Sequence, residues 1–267
     1  MLMKRHVAIL LCMGAVIALG GCVSKTQEHA AAEQPVEEIK SAEPSVTEEE
    51  RRLAFGKVLW DVYQKGVLPD GRPLDQSLGA EFVVDNEFAL VDVDNDGEEE
   101  LLLFWENACM AGMMGFVFGY DGEMGIREEL LEFPTLTFYD NGIVEVEASH
   151  NQGLAGAFWP YSAYRYDEKS GAYQLLGSVD AWDISVREEN YEGEPFPTDI
   201  DVDGDGLVYY IFPADVTGGY DMSAVDGSSY EEWRNAYIDG AEEIDIPRQK
   251  MTEENIAALG CPKPDSF

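Results

Sequence analysis

A chain of 267 residues, 45% of them hydrophobic, can form one large or two small domains with a sizeable core. Its formal net charge of −36 repels nucleic acid and anionic lipid headgroups, which excludes both as charge-attracted partners and leaves cations as the natural small ones. The four cysteines form no CxxC and no Cys/His cluster, so nothing in their spacing calls for zinc.

Lys4 and Arg5 make a short positive segment, and an apolar run follows from Val7 to Leu19. Spanning a bilayer takes about 20 apolar residues, so this run has the length of a secretory signal instead. It ends Leu19-Gly20-Gly21-Cys22, which resembles the lipobox of bacterial lipoproteins. The resemblance implies a signal peptide over residues 1–21, cleavage after Gly21 and a diacylglyceryl group on the Cys22 sulfur. Two acyl chains anchor stably where one does not. The expected location is therefore the extracytoplasmic face of the cell membrane, with the bilayer as partner through Cys22. The removed segment carries two basic residues and no acidic ones, so the mature chain is more acidic still.

Residues 22–46, the lipidated cysteine and a stretch of Ala, Glu, Pro, Ser and Lys, cannot bury enough surface to order themselves and read as a tether. As a flexible coil the tether spans roughly 25–30 Å. A single β-rich domain is expected over 47–267. Thr47-Glu48-Glu49-Glu50 is a capping-box pattern, and Leu53, Val58, Leu59, Val62 and Tyr63 give a helical stripe that Gly66 ends. Strands are expected at Phe88–Val93, Leu101–Trp105, Gly115–Tyr120, Leu136–Tyr139, Ile143–Glu147, Tyr161–Tyr166 and Tyr173–Leu176. Asp-Gly and Asn-Gly turns lie between several of them and favour tight hairpins, because these residues accept positive φ. No long helix intervenes, so the pattern is an antiparallel meander. A C-terminal α/β extension is expected from about 207: a strand at Leu207–Phe212, a helix Tyr230–Ile238 capped by Ser229, and a last helix opened by Thr252-Glu253-Glu254-Asn255. The fold class is thus mainly β (α+β), with one N-terminal and two short C-terminal helices.

The strongest local feature is Asp92-Val93-Asp94-Asn95-Asp96-Gly97-Glu98-Glu99-Glu100 between two apolar runs. Oxygen ligands at alternate positions converge when a loop curls around a hard cation, and glycine at position six permits the sharp turn. At ~6 Å each like-charge pair costs roughly 0.7 kcal/mol even in water, so a compact loop without a cation repels itself. The expected calcium ligands are the Asp92, Asp94 and Asp96 side chains, the Glu98 carbonyl and Glu100. Position twelve is Leu103, which rules out an EF-hand. The segment resembles the DxDxDG calcium loops of FG-GAP and VCBS repeats, which sit between two strands; with one clear copy it implies a blade-like unit and not a complete propeller. Together with the Tyr120-Asp121-Gly122 turn and the Thr252–Ile256 helix, it is similar to bacterial lipoproteins of Gram-positive type that carry one such unit. That similarity covers about residues 48–260 and implies a fold type and no activity.

A second acidic run, Asp199, Asp201, Asp203 and Asp205, can be read as DxDxDG in two frames, neither with a closing carboxylate. It is either a second metal loop or an acidic loop before a strand. Trp159 and Tyr161 lie in an aromatic stretch that suits a sugar-binding face or core packing. Cys109 and Cys261 form a disulfide or remain two buried thiols, and Met110, Met113 and Met114 fill core. His150 is the only histidine of the folded region, with no GxSxG nucleophile near it. The leading expectation is a tethered, calcium-stabilised binding or scaffold domain for a surface glycan or protein. The alternatives are a surface hydrolase acting on glycan or peptide, and a carbohydrate-binding module.

Overall fold

The computed structural model describes residues 46–74, 85–106, 113–132, 135–149, 151, 153–214 and 223–264. The signal segment, Cys22, the tether up to residue 45, Cys109, Met110 and His150 lie outside the described residues.

Helix α1 (Glu48–Lys65) opens on the expected box: Thr47 accepts the Glu50 N–H at 3.2 Å and Glu50 accepts the Thr47 N–H at 3.0 Å. Gly66, at φ 63°, ends it in the left-handed region. The buried stripe differs from the expected one. Phe55, Val58, Leu59 and Val62 face the core, while Leu53 is 37% exposed. Phe55 sits one helical step before Val58 and Leu59, and Leu53 falls outside that arc. The Trp60 indole N–H donates to the Cys261 carbonyl at 3.0 Å, which fastens the C-terminal segment to α1. The approach is close enough that a Cβ on Gly56 would meet the Cys261 Cβ at 2.4 Å.

Two five-stranded antiparallel sheets carry the rest. The first contains β1 (Glu87–Val91), β2 (Glu100–Trp105), β3 (Met114–Asp121) and β4 (Gly125–Glu132) as a meander. The second is the meander β5 (Leu136–Tyr139), β6 (Ile143–Glu147), β7 (Tyr161–Asp167), β8 (Ala172–Asp183) and β9 (Leu207–Pro213). A short β10 (Gln249–Lys250) returns to pair with β1 at the edge of the first sheet. Helices α2 (Gly227–Ile238) and α3 (Glu253–Ala257) complete the fold.

Every residue of β2 is buried because both faces of its sheet are covered. Leu101, Leu103 and Trp105 pack with Phe55, Leu59 and Trp60 of α1. Leu102 and Phe104 pack with Leu136, Phe138, Val144 and Val146 of the second sheet. The far face of the second sheet, with Ile143, Ala163, Val179 and Tyr209, takes Trp233 and Tyr237 of α2. Arg234 of α2 adds a two-pronged contact to Glu145 of β6, at 2.9 and 3.0 Å. The layers run helix, sheet, sheet, helix. The sheets stack face to face as a sandwich, and among the described residues no radial, propeller-like arrangement is seen.

Several boundaries depart from expectation. Strand β4 has no counterpart in the sequence reading, since Arg127-Glu128-Glu129 looks like solvated surface. Strand β8 runs on through Gly177 to Asp183, and β9 pairs along it from Gly177↔Pro213 to Asp183↔Leu207, so residue 207 begins an integral strand of the second sheet. Helix α2 starts at Gly227 behind Asp226, three residues before the expected Ser229 cap.

Candidate metal centre

The segment 92–99 links β1 to β2, and its curl is fixed by side chains accepting from its own backbone. Asp92 accepts the Asn95 N–H at 2.8 Å and the Gly97 N–H at 2.9 Å. Asp94 accepts from Asp96 at 3.0 Å, and Asp96 from Glu98 at 2.7 Å. Asn95, at φ 67°, is the one non-glycine residue with positive φ among the described residues, and Gly97 follows at 91°. The result brings one oxygen from each of Asp92, Asp94 and Asp96 to within 4.8 Å of one another. A hard cation about 2.4 Å from each oxygen fits that spacing.

The neighbourhood of this loop sets its electrostatics. Arg51 of α1 pairs with Glu98, and Arg52 pairs with Glu99 at 2.8 Å. The Glu98 carboxylate is therefore turned toward the helix, and only its carbonyl remains for the role expected of it. Across the loop, a Cβ on Gly142 of the β5–β6 turn would lie 2.8 Å from the Asp94 carbonyl oxygen. The Tyr173 hydroxyl of β8 donates to the Val93 carbonyl at 3.1 Å. The loop is thus held between α1 and the second sheet.

Asp94 is 8% exposed and its Oδ2 has no hydrogen-bond partner. Burial, reinforced by the Asp96 charge, pushes its carboxyl up to about 6. Asp96 is raised as well, first by burial. Glu100 does not join the three converging oxygens. It lies behind them, 3% exposed, accepting the Val93 N–H at 3.0 Å, and burial followed by the Asp94 charge pushes it up to about 10.

The sequence gives no sign of a third buried acid, Glu129 of β4. It is 4% exposed and stands 3.1 Å from Arg127, whose other contacts are the Tyr166 hydroxyl at 2.7 Å and the Gly171 carbonyl at 3.1 Å. Burial pushes Glu129 up to about 8; Arg127 opposes the shift, and the charges of Asp94 and Asp96 add to it. Strand spacing alone does not reveal it, because β3 separates β4 from β2 in the sheet and only an irregularity in the β3–β4 register turns Glu129 to the inner face.

In the second acidic segment the frame begins at Asp201. This aspartate accepts the Gly204 N–H at 3.0 Å and the Gly206 N–H at 3.1 Å, Asp203 accepts from Asp205 at 3.2 Å, and Asp205 from Leu207 at 2.8 Å. The converging oxygens belong to Asp201, Asp203 and Asp226, the residue before α2. Asp199 and Asp205, expected in this group, are not part of it, and Asp226 enters from outside the run.

The two aromatics of the suggested ligand face are parted. Trp159 is 43% exposed, with its indole N–H on the Ala148 carbonyl at 2.6 Å. Tyr161 is buried, its hydroxyl within 3.1 Å of that of Tyr230 and 3.0 Å of that of Tyr237. They form no shared flat surface. Near Trp159, a cleft of about 420 Å³ is lined by Glu132, Glu147, Ser162, Ser178 and Asp180, among others. Burial raises Asp180 within it. Among the described residues no helix is long and apolar enough to cross a membrane. Comparison of the chain with protein-family models, with curated proteins and with solved structures gave no match.

Proposed function

We propose that this chain is a membrane-anchored, extracytoplasmic lipoprotein whose β-sandwich is a binding or scaffold domain stabilised by calcium. The observation that carries the reading is the convergence of Asp92, Asp94 and Asp96, with a buried Asp94 oxygen that no protein donor meets. A buried carboxylate oxygen without a donor is costly, and a hard cation is the partner whose chemistry suits an all-oxygen set. The resemblance to FG-GAP and VCBS calcium loops, on the Asp92–Glu100 motif, points the same way. Anchoring rests on Lys4, Arg5, the apolar run and Gly21-Cys22.

Calcium here has a structural part: it cancels the repulsion of the loop and holds β1, β2 and the β5–β6 turn in register. An ion that binds only the folded state adds about 2.7 kcal/mol at one hundred times its Kd. For a domain of this size that is a rise in melting temperature of roughly 5–10 °C. Melting scans with calcium and with chelator measure it, and coincident curves would remove the metal. Cys22→Ala should move the protein from the membrane to the soluble fraction on cell fractionation; unchanged membrane retention would remove the lipid anchor.

A second reading is kept by the cleft beside Trp159. Carboxylates of Glu132, Glu147 and Asp180 with the Ser162 and Ser178 hydroxyls suit a polar ligand such as a glycan, either bound or hydrolysed. A glycan array followed by Asp180→Asn on any hit decides whether this cleft holds the ligand.

A further inference from the structure

Glu129 owes its position to an irregularity in β4. Val117 of β3 opposes Leu130 and Phe118 opposes Glu128, so Glu129 is the extra residue of a β-bulge. In a regular strand 129 and 130 would face opposite sides. Here Leu130 packs in the cluster between the sheets, Glu128 reaches Arg72 on the other side, and Glu129 is turned inward beside Arg127. Its carboxylate fills the space over Gly119, where a Cβ would lie 2.0 Å from Oε1. Bulges re-aim side chains and are enriched next to functional sites.

What the bulge achieves has no account in hydrogen bonding. Arg127 stands near Glu129 as an ion pair, yet neither Glu129 oxygen receives a hydrogen bond, and the same holds for Oδ2 of Asp94. Three carboxylates, those of Asp94, Glu100 and Glu129, are more than nine-tenths buried, and of these only Glu129 has an ion-pair partner among the described residues, Arg127. Arg127 donates to the Tyr166 hydroxyl, the Tyr166 ring packs edge-on against Tyr173 at 5.6 Å, and Tyr173 donates to the Val93 carbonyl beside Asp94, so Glu129 and the loop border one interior space.

We propose that Glu129, carried between the sheets by the bulge of β4, is a further ligand of the cation held by Asp92, Asp94 and Asp96, with Glu100 closing the inner side. This rests on the calcium reading above and deepens it: the ion ties β4 to the β1–β2 loop and is no longer a feature of one hairpin. Calcium takes six to eight oxygens, more than the three converging aspartates supply.

The test uses the full chain in detergent, calcium calorimetry, and europium luminescence lifetimes in light and heavy water, which count the water molecules on the bound ion. Glu129→Gln should weaken calcium about tenfold or more and add a water to europium. Glu128→Gln, one residue away and facing Arg72, should change neither. Should the glutamine variant fail to fold, Glu129→Asp keeps the charge while withdrawing the carboxylate, and is expected to lose affinity by a smaller factor. Affinity within about twofold of the parent and an unchanged water count in the folded variant would make Glu129 simply the partner of Arg127 and overturn the proposal, while Asp94→Asn still abolished binding. A parent chain that takes up no calcium at all would sink the metal reading itself, and this proposal with it.

Discussion

The two acidic loops have one backbone design and opposite surroundings. In each, the first aspartate (Asp92 or Asp201) accepts from the third and fifth residues after it, and the next two aspartates each accept from the residue two further on. Positive φ falls at matching places, Asn95 and Gly97 in one, Gly204 and Gly206 in the other. The first loop is enclosed by α1 and the second sheet, and its central aspartate is buried. The second lies open, with Asp203 and Asp205 exposed. A DxDxDG run therefore specifies a curl. Whether the curl makes a strong site depends on burial, which removes the water that would otherwise solvate the charges.

The sharpest way to break this comparison is to remove the buried charge. Asp94→Asn should abolish the calcium-dependent rise of roughly 5–10 °C in melting temperature. With chelator present it should melt at or above the parent, because it no longer buries a carboxylate charge with one oxygen unmet. Thermal scans of both proteins in both conditions give the answer. A variant that keeps the calcium shift would place the ion in the second loop instead.

Next in size is a pH effect confined to the enclosed loop. Folded-state values of about 6 for Asp94, 8 for Glu129 and 10 for Glu100 lie above the ~4 of an unfolded carboxylate. Between those limits the folded chain binds more protons than the unfolded one, so stability falls as pH rises. In chelator the melting temperature should be highest near the acid end of this window and decline through pH 8 and beyond. Calcium displaces those protons, so the gap between calcium and chelator should widen with pH. Glu129→Gln should flatten the decline around pH 8. A chelated protein that gains stability from pH 5 to 8 would show these acids to be ionised and satisfied without metal.

The same contrast governs what could be read beforehand. The turn at Asp121-Gly122 and the hairpin around Asn141-Gly142 were legible because their turn chemistry is local. The convergence of Asp92, Asp94 and Asp96 was legible because alternation and glycine placement are local too. Strand β4 was hidden because inward-turned Arg127 and Glu129 have the composition of a solvated face, and a bulge breaks the alternation that would have betrayed them. The stripe of α1 was right at Val58, Leu59 and Val62 and wrong at its first position, since Leu53 and Phe55 are both apolar and only packing chooses between them. In the second loop the frame was ambiguous by spacing, and hydrogen bonds from Gly204 and Gly206 decided for Asp201.

Asp226 is the part of the second loop that no local pattern could supply, and it carries the smallest predicted effect. It occupies the N-cap position of α2 but makes no side-chain cap to its own helix. One oxygen accepts the Val202 N–H at 2.9 Å and the other accepts the Ser228 hydroxyl at 3.1 Å. Its carboxyl is held below the ordinary range chiefly by the Val202 N–H, as befits an ionised acceptor. The residue thus docks the second loop on the start of α2 rather than capping it. Asp226→Ala should lower the melting temperature only slightly, since it removes solvent-exposed hydrogen bonds. It should leave helical content by circular dichroism unchanged and calcium affinity at the first loop intact. Amide exchange at Val202 should quicken, since its N–H loses its acceptor. Lost helical signal would instead assign Asp226 to capping, and a loss of calcium affinity would show that the open loop shares the ion-binding role here given to the enclosed one.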